Sequence, residues 1–275
     1  MPNCKTIAIC NQKGGVGKTT TTINLGVGLA MQGKKILLID ADPQGDLTVS
    51  LGWKDNDNLE TTITEKMIDV FKGGNENVHN GILHHNEGVD VLPANSKLST
   101  LEISLVNAKN RESAMKELVK SVKKDYDYIL IDCMPSLNMI TLNALVAADS
   151  VIIPVQAQYL PARDMTQLLK TVSEVKRHLN PRLKTDGILL TLVDNRTNLA
   201  KSTREAITSN FGKFVKIYKT NIPVAVKAAE VTSKGESIFK YQPKCTVAKA
   251  YSDFAKEVLE NSERQKERLR ASPTR

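Results

Sequence analysis

A glycine-rich stretch near the start of the chain has the residue types and spacing of a site for phosphorylated ligands. Residues 10–20 read C-N-Q-K-G-G-V-G-K-T-T, between an apolar run at 7–10 that predicts a strand and residues 21–31, which predict a helix. Glycines let the backbone turn tightly, so that successive N–H groups face an anion, and the positive end of the helix dipole lies at the same place. This order of elements predicts a phosphate-binding loop.

Two side chains of this loop are suited to a nucleotide with its metal ion. Lys18 is placed to reach the β- and γ-phosphates, and the Thr19 hydroxyl to ligate Mg²⁺. The general pattern G-x-x-x-x-G-K-[ST] needs a glycine where Gln12 stands, and a second lysine, Lys13, stands just ahead of the glycines. The residues predicted to contact the nucleotide are Gly14, Gly15, Val16, Gly17, Lys18, Thr19 and Thr20.

Carboxylates follow two further apolar runs. Asp40 and Asp42 follow the run at 37–39, and Asp132 follows the run at 128–131. Phosphoryl transfer needs an in-line water and neutralisation of charge, and carboxylates can position the water and hold a metal ion. Paired carboxylates in a turn also cap the next element in many proteins, and this second interpretation stays open for Asp40 and Asp42.

Apolar runs alternate with helical patterns along the chain, which predicts the elements that position these residues. Most runs are continuous in Val, Ile and Leu, as in strands covered on both faces. The alternation predicts an α/β fold, a doubly wound, mostly parallel sheet with helices on both faces, whose ligands bind at the carboxyl ends of the strands. The predicted strands are 6–10, 35–39, 89–92, 128–131, 150–155, 187–193 and 214–218, and the predicted helices are 18–31, 62–71, 111–123, 137–147, 162–178, 200–211 and 246–259.

Composition is typical of a globular protein, with 41% hydrophobic and 25% charged residues among 275. We expect one P-loop domain over 1–260, with residues 53–88 as a polar surface excursion and 261–275 as a polar tail, frayed or disordered. No apolar stretch approaches the ~18 residues that span a bilayer, and no secretory signal is visible. The four scattered cysteines favour a reducing compartment, so we expect a cytoplasmic protein.

The net charge of +8 is unevenly distributed. Residues 160–275 hold 23 Lys and Arg against 12 Asp and Glu, whereas residues 1–159 hold 15 against 18. A basic second part favours a polyanionic partner, and a merely solvated surface explains the charge equally well. An aromatic content of 4% disfavours single-stranded nucleic acid, which is bound by stacking.

Four motifs resemble those of the ParA/MinD superfamily of ATPases. K-G-G-V-G-K-T-T, with Lys13 and Lys18, resembles its deviant Walker A motif, and D-A-D-P-Q-G at 40–45 resembles its D-x-D-P-Q-G switch segment. Residues 128–135 resemble its Walker B strand and second switch, with Cys133 and Met134 in place of Thr-Pro. Residues 189–198 resemble its L-T-x-x-D-x-R-T-N segment.

The resemblance implies an ATPase with ATP and Mg²⁺ as cofactors and assigns roles to several residues. Lys13, Lys18 and Asp42 are implied to be catalytic, and Asp42 to position the attacking water. Thr19 would ligate Mg²⁺, with Asp40 and Asp132 acting through water, while Asp194 would accept a hydrogen bond from adenine and Pro223 would flank the base. In the family the lysine equivalent to Lys13 reaches the phosphates of a partner subunit, and a solvated loop cation is the alternative.

The C-terminal part follows the ParA/Soj branch, which implies a DNA partition ATPase. ATP would close a sandwich homodimer that binds double-stranded DNA without sequence preference, and a ParB-like centromere-binding partner would stimulate hydrolysis. Implied DNA contacts are Arg196 and Lys227, and further basic candidates are Lys201, Arg204, Lys213, Lys216 and Lys219. The alternative is a MinD-like membrane-cycling ATPase, which needs an amphipathic C-terminal helix, whereas residues 262–275 offer one leucine among many charges.

Overall fold

Eight strands form one sheet in the order β3-β4-β2-β5-β1-β6-β7-β8. The computed structural model describes residues 4–74, 77–105, 110–157, 162–194, 196–225 and 230–271, and all structural statements refer to these. Only β3 runs antiparallel to its neighbour, β4. The strands are β1 Lys5–Ile9, β2 Ile36–Ala41, β3 Leu83–His85, β4 Val89–Leu92, β5 Tyr128–Cys133, β6 Ser150–Gln156, β7 Lys184–Val193 and β8 Ile217–Pro223.

Helices cover both faces of this sheet. One face carries α1, α2, the short helix Ile238–Tyr241 and the last helix, Thr246–Ala271, and the other carries α3 to α8. Among these residues, no helix combines the length and the apolar character needed to cross a bilayer. The remaining bounds are α1 Lys18–Ala30, α2 Asp46–Ser50, α3 Ile63–Phe71, α4 Lys97–Leu105, α5 Ala114–Val122, α6 Met139–Ala147, α7 Ala162–His178 and α8 Asn198–Phe211.

The continuous apolar runs of the central strands follow from burial on both faces. In β2, Leu37 and Ile39 pack into the core beneath α3 to α8, while Ile36 and Leu38 pack beneath α1 and the last helix. Successive side chains of a strand point to opposite faces, so both faces of β2 must be apolar. The predicted doubly wound, mostly parallel α/β fold is confirmed.

Strand β8 differs from its prediction. The apolar residues at 214–218 favoured a strand there, but Phe214 is 83% exposed in the turn before β8. The strand lies at Ile217–Pro223 on the edge of the sheet, where Tyr218 and Ile222 are buried and polar residues separate them. An edge strand with mixed burial lacks the continuous apolar run that marks the central strands.

Two segments that are polar in sequence contain regular secondary structure. Within 53–88, α3 buries Ile63 and Met67 in the core, and β3 extends the sheet, so this segment is more than a surface excursion. Thr62 and Glu65 begin α3 with a capping box, which gives a polar sequence a defined helix start. The last helix continues well past the predicted end at 259, to Ala271.

The central strands place the predicted motifs side by side. Ile9 pairs with Asp132, and Asp40 pairs with the same residue from the other side. Because β1, β2 and β5 are parallel neighbours, the glycine-rich loop and both carboxylate segments emerge at one edge of the sheet.

Candidate active site

A cavity of about 650 Å³ opens at the carboxyl ends of the strands and has two chemically different sides. Its apolar side comes from β7, β8 and the last helix through Leu192, Ile222, Pro223, Ala225 and Val247. Its polar side comes from the glycine-rich loop, α1 and the segment after β2: Gly14, Gly15, Gly17, Lys18, Thr19, Thr20, Asp42, Gln44, Asp46 and Ser50. A pocket with phosphate-binding groups at one side and apolar groups at the other suits a nucleotide.

The loop conformation depends on glycine at two positions. Gly15 and Gly17 have φ angles of 70° and 80°, a region that disfavours residues with a Cβ. Gly17 precedes α1 and makes no side-chain cap, so the first N–H groups of this helix are not used by a capping side chain. Two positive φ angles and an uncapped helix start together form a concave set of N–H donors for an anion.

Long-range hydrogen bonds hold the loop in place. The Asn11 amide donates to the Pro154 carbonyl at 2.7 Å and accepts from the Lys13 N–H at 3.0 Å. The Thr191 hydroxyl donates to the Val16 carbonyl at 2.8 Å. Asn11 and Thr191 were not predicted as supports, because Pro154 on β6 and Thr191 on β7 lie far from the loop in sequence.

Lys18 lies at the polar side of the cavity with 7% of its surface exposed. Its ammonium donates to the Lys13 carbonyl at 3.1 Å, so the lysine is folded over the loop. Lys13 itself is half-buried ahead of the glycines and does not line the cavity. This position is consistent with both interpretations of Lys13, and its role stays a prediction.

Thr19 and Asp132 provide the oxygen atoms suited to a metal ion. Asp132, 1% exposed, accepts hydrogen bonds from Thr19 and from the Thr22 hydroxyl, the latter at 3.1 Å. Burial, with the neighbouring Asp40 carboxylate, raises the pKa of Asp132 to about 8, although Thr19, Lys18 and Thr22 oppose the shift. A cation at this place would favour the ionised carboxylate.

These donors fit Mg²⁺ better than a metal held by protein side chains alone. Within the described ranges, no group of three or more His, Cys, Asp or Glu residues could hold a metal ion. Mg²⁺ takes few protein ligands and completes its shell with phosphate oxygens and water. Thr19 and Asp132 would hold the ion, which would neutralise charge on the phosphates during transfer.

Asp40 contacts protein groups through both carboxylate oxygens. Oδ2 accepts from the Thr48 N–H at 2.9 Å and the Thr48 hydroxyl at 2.7 Å, and Oδ1 accepts from the Asp42 N–H at 3.2 Å. Asp40 is fully buried, and burial raises its pKa to about 7 against these hydrogen bonds. It therefore supports the segment that carries Asp42, as the turn-capping interpretation predicted, and a place near the Mg²⁺ shell stays a prediction.

We expect Thr48→Val to weaken this support. The change removes the hydroxyl that donates to Asp40 and accepts from the Ala94 N–H at 3.1 Å, leaving two buried polar groups short of a partner. The free energy of unfolding should fall by about 1–3 kcal/mol, and ATP turnover should fall because Asp40, which anchors the Asp42 N–H, is itself held less firmly. Thermal melting and a phosphate-release assay measure both effects. Thr48→Ser keeps the hydroxyl, so similar losses in both variants would contradict the role of this hydrogen bond.

Asp42 lies in the wall of the cavity, as a water-positioning carboxylate requires. One of its oxygens accepts from the Gln44 N–H at 3.0 Å. Burial raises the pKa of Asp42, and the nearby Asp46 adds to the shift, while the Gln44 hydrogen bond and Lys18 oppose it.

The residues that replace Thr-Pro in the second switch point in different directions. Cys133 is 1% exposed, and its Sγ lies 2.8 Å from that of Cys10 in the core. Met134 Sδ accepts a hydrogen bond from the Asn138 amide at 2.6 Å, and Pro135 lines the cavity. Cys133 and Met134 therefore contact other protein groups, whereas Pro135 lies at the cavity.

Of the two predicted contacts to the base, the structure places one at the cavity. Pro223 lines its apolar side, whereas Asp194 does not. Both oxygens of Asp194 accept from the Arg196 guanidinium at 2.9 Å, and these hydrogen bonds hold the pKa of Asp194 at about 2. The role of Asp194 in binding adenine stays a prediction.

The basic residues predicted to contact DNA lie at both ends of α8, among those that the structure describes. Arg196 and Lys201 are exposed near the start of α8, whereas Arg204 is half-buried and donates to Asn221. Lys227 lies outside the described residues. Lys213 and Lys216 follow α8 and lie near the amino ends of the strands, because this helix of 14 residues spans about 21 Å.

Comparison with known proteins agrees with the geometry. A family model described as an AAA domain matches residues 4–185. Over 94% of its length the chain is 45% identical to 99% of the sporulation initiation inhibitor protein Soj of Bacillus subtilis. Over 93% of its length it is 39% identical to 94% of the chromosome partitioning protein ParA of Caulobacter vibrioides.

A solved structure shows the same fold with a nucleotide bound. It is titled cobyrinic acid a,c-diamide synthase from Mycobacterium smegmatis with bound ADP and magnesium. The TM-score is 0.83 at 35% identity, over 94% of this chain and 96% of the other. With these relatives, and with the glycine-rich loop and Asp42 at one cavity, the chain belongs to the ParA/Soj family of partition ATPases and hydrolyses ATP with Mg²⁺.

Proposed function

We propose that this ATPase segregates DNA through a nucleotide-dependent dimer. ATP binding closes a sandwich homodimer, the dimer binds double-stranded DNA without sequence preference, and hydrolysis stimulated by a ParB-like partner reopens it. The observation that carries the proposal is a shared location. The nucleotide cavity and the exposed basic residues Arg196 and Lys201 lie at the same end of the sheet, where the strands have their carboxyl ends. If two copies met at this edge through their nucleotides, their basic surfaces would be joined.

In this cycle, residues at the cavity and next to it have distinct roles. Lys18 and the loop N–H groups bind the phosphates, Thr19 and Asp132 hold Mg²⁺, and Asp42 orients the attacking water. Lys13 reaches the partner subunit's phosphates, in the way that an arginine finger acts in trans. ATP thus favours the closed dimer because its phosphates are contacted from two chains.

Binding to DNA in this proposal is electrostatic. Arg196 and Lys201 contact phosphates and not base edges, so affinity should not depend on sequence and should fall steeply as salt rises. The protein would therefore associate with the nucleoid only in its ATP-bound form.

We expect Lys13→Gln to abolish the effect of ATP on DNA binding. The affinity for a random-sequence duplex is measured with ATP, with ADP and without nucleotide, in an Asp42→Ala background that slows turnover. With Lys13 present, ATP should tighten binding at least about tenfold, because only the closed dimer joins both basic surfaces. With Lys13→Gln, all three conditions should give the weak value, and light scattering should show a monomer.

Lys124→Gln, at an exposed lysine after α5, controls for the loss of one positive charge. Equal tightening by ATP in the Lys13 and Lys124 variants would contradict the role of Lys13. An ATP-bound protein that sediments with anionic vesicles and ignores DNA would favour the MinD-like alternative.

A further inference from the structure

The strands that form the apolar side of the cavity are irregularly paired. Ile188 pairs with Ile217 and Leu190 with Asn221, so β8 contributes two more residues than β7 to this interval. Between Leu190 and Val193, which pairs with Pro223, β7 has one residue more. Bulges of this kind re-aim side chains next to active sites.

Glu257 of the last helix binds the backbone of β8 within the first irregular interval, between Ile217 and Asn221. Its carboxylate accepts from the N–H groups of Lys219 and Thr220, at 3.1 Å each, and from the Thr220 hydroxyl at 3.0 Å. The Lys216 ammonium lies 3.3 Å from the same carboxylate, whose side chain is 13% exposed. The irregular register deprives these N–H groups of regular ladder partners, and the carboxylate replaces them.

The pKa of Glu257 is consistent with these contacts, which together clamp β8 to the last helix. Burial raises the pKa of Glu257, but the hydrogen bonds from Lys219 and Thr220 and the charge of Lys216 outweigh it and hold the pKa below its usual value. The group is therefore a charged acceptor at neutral pH, which makes its hydrogen bonds stronger than those of a neutral amide.

Packing holds the same part of β8 from two further directions. The ring of Tyr218 meets that of Phe254, one turn before Glu257, edge to face with centroids 4.9 Å apart. On the other side, a Cβ at Gly187 would lie 2.8 Å from the Tyr218 ring, so β8 approaches β7 closely there. Ile222 and Pro223, two and three residues beyond Thr220, lie at the cavity.

The second irregularity lies at the cavity itself. Leu192 has a φ of 51°, which is costly for a residue with a Cβ, and it lines the cavity beside Ile222 and Pro223. The apolar side is thus formed where two irregular strand ends meet, and its shape depends on the register between them.

We propose that Glu257 is a positioning residue for the nucleotide: by clamping the irregular part of β8 to the last helix, it holds Ile222 and Pro223 against the base of bound ATP. The base belongs at this side because the phosphates occupy the loop. The proposal rests on the nucleotide cavity alone, so it stands or falls separately from dimer formation and DNA binding.

The test is Glu257→Gln, which keeps the size of the side chain. An amide offers one acceptor oxygen and turns its NH₂ group toward a backbone N–H, so part of the clamp is lost. We expect KM for ATP and the dissociation constant of ADP to rise about five- to twentyfold, with kcat changed less than about twofold. Glu260→Gln is the matched control, since Glu260 is 63% exposed on the same helix and faces Arg264 at 3.6 Å.

A base-free competitor separates positioning from general damage. Mg²⁺–tripolyphosphate carries the phosphates without a base, so its inhibition constant should be the same in wild type and Glu257→Gln. Equal weakening of ADP and tripolyphosphate would overturn the proposal, and so would no weakening of ADP. Thr220→Val, which removes only the hydroxyl donor, should shift KM for ATP in the same direction by about two- to threefold, and an unchanged KM there would also contradict the clamp.

Discussion

Lys18→Ala should lower the rate of ATP hydrolysis by about 10²- to 10³-fold or more. The ammonium is the buried cation at the polar side of the cavity, and it is positioned before the nucleotide arrives by its bond to the Lys13 carbonyl. Removing one such preorganised donor removes stabilisation of the charge that develops on the transferring phosphate. A phosphate-release assay at saturating ATP measures the loss of rate, and nucleotide titration measures the loss of affinity.

An exposed lysine provides the control for this experiment. Lys35 lies at the opposite edge of the sheet, where β2 begins, and Lys35→Ala should leave hydrolysis unchanged. Hydrolysis by Lys18→Ala within tenfold of wild type, with normal thermal melting, would show that the loop N–H groups and Mg²⁺ suffice without this lysine.

Among the variants proposed here, Asp186→Ala should lower the free energy of unfolding most, by about 3–5 kcal/mol. This corresponds to a fall in Tm on the order of 10 °C. Asp186 lies on β7 with a side chain 2% exposed, and it accepts from the Lys5 ammonium at 2.6 Å and the Ser150 hydroxyl at 2.9 Å. Gln265 of the last helix donates to its other oxygen at 3.3 Å. The alanine would leave the ammonium of Lys5, 12% exposed, without this carboxylate in a largely buried place.

A double variant separates the loss of the ion pair from the loss of packing. Lys5→Met with Asp186→Leu removes both charges and keeps apolar volume, so it should recover most of the stability lost in Asp186→Ala. Thermal melting of the two variants and wild type, at one pH and salt concentration, provides the comparison. A double variant as unstable as Asp186→Ala would show that the hydrogen bonds of Ser150 and Gln265, and not the buried charge, account for the loss.

Asp186 and Glu257 together show how the last helix is attached to the sheet. Near its start, Val247 lines the cavity and the Tyr251 hydroxyl lies 3.2 Å from that of Thr21. Further along, Glu257 holds β8, and near its end Gln265 bonds to Asp186. The last helix thus runs from the nucleotide cavity to the amino ends of the strands. We therefore expect its position to affect both stability and ligand binding.

The sequence by itself determined the features that lie in continuous segments. The phosphate-binding loop is one strand, one set of glycines and one helix start, so its geometry follows from local backbone preferences. Asp42 and Asp132 follow apolar strands directly, and parallel strands bring their carboxyl ends to one edge. For the same reason the doubly wound fold could be predicted, because burial on both faces leaves continuous apolar runs in the sequence.

Only the tertiary structure decided which distant groups meet. The hydrogen bond from Thr191 to Val16, the ion pair of Lys5 with Asp186 and the contact of Glu257 with β8 depend on the path of loops and the register of strands. Register and bulges are set by packing between segments far apart in sequence, and local propensities contribute little to that choice. Most residues of the glycine-rich loop and Asp42 therefore lie at the cavity as the sequence predicted, whereas of the apolar side, assembled from three separate elements, only Pro223 was predicted.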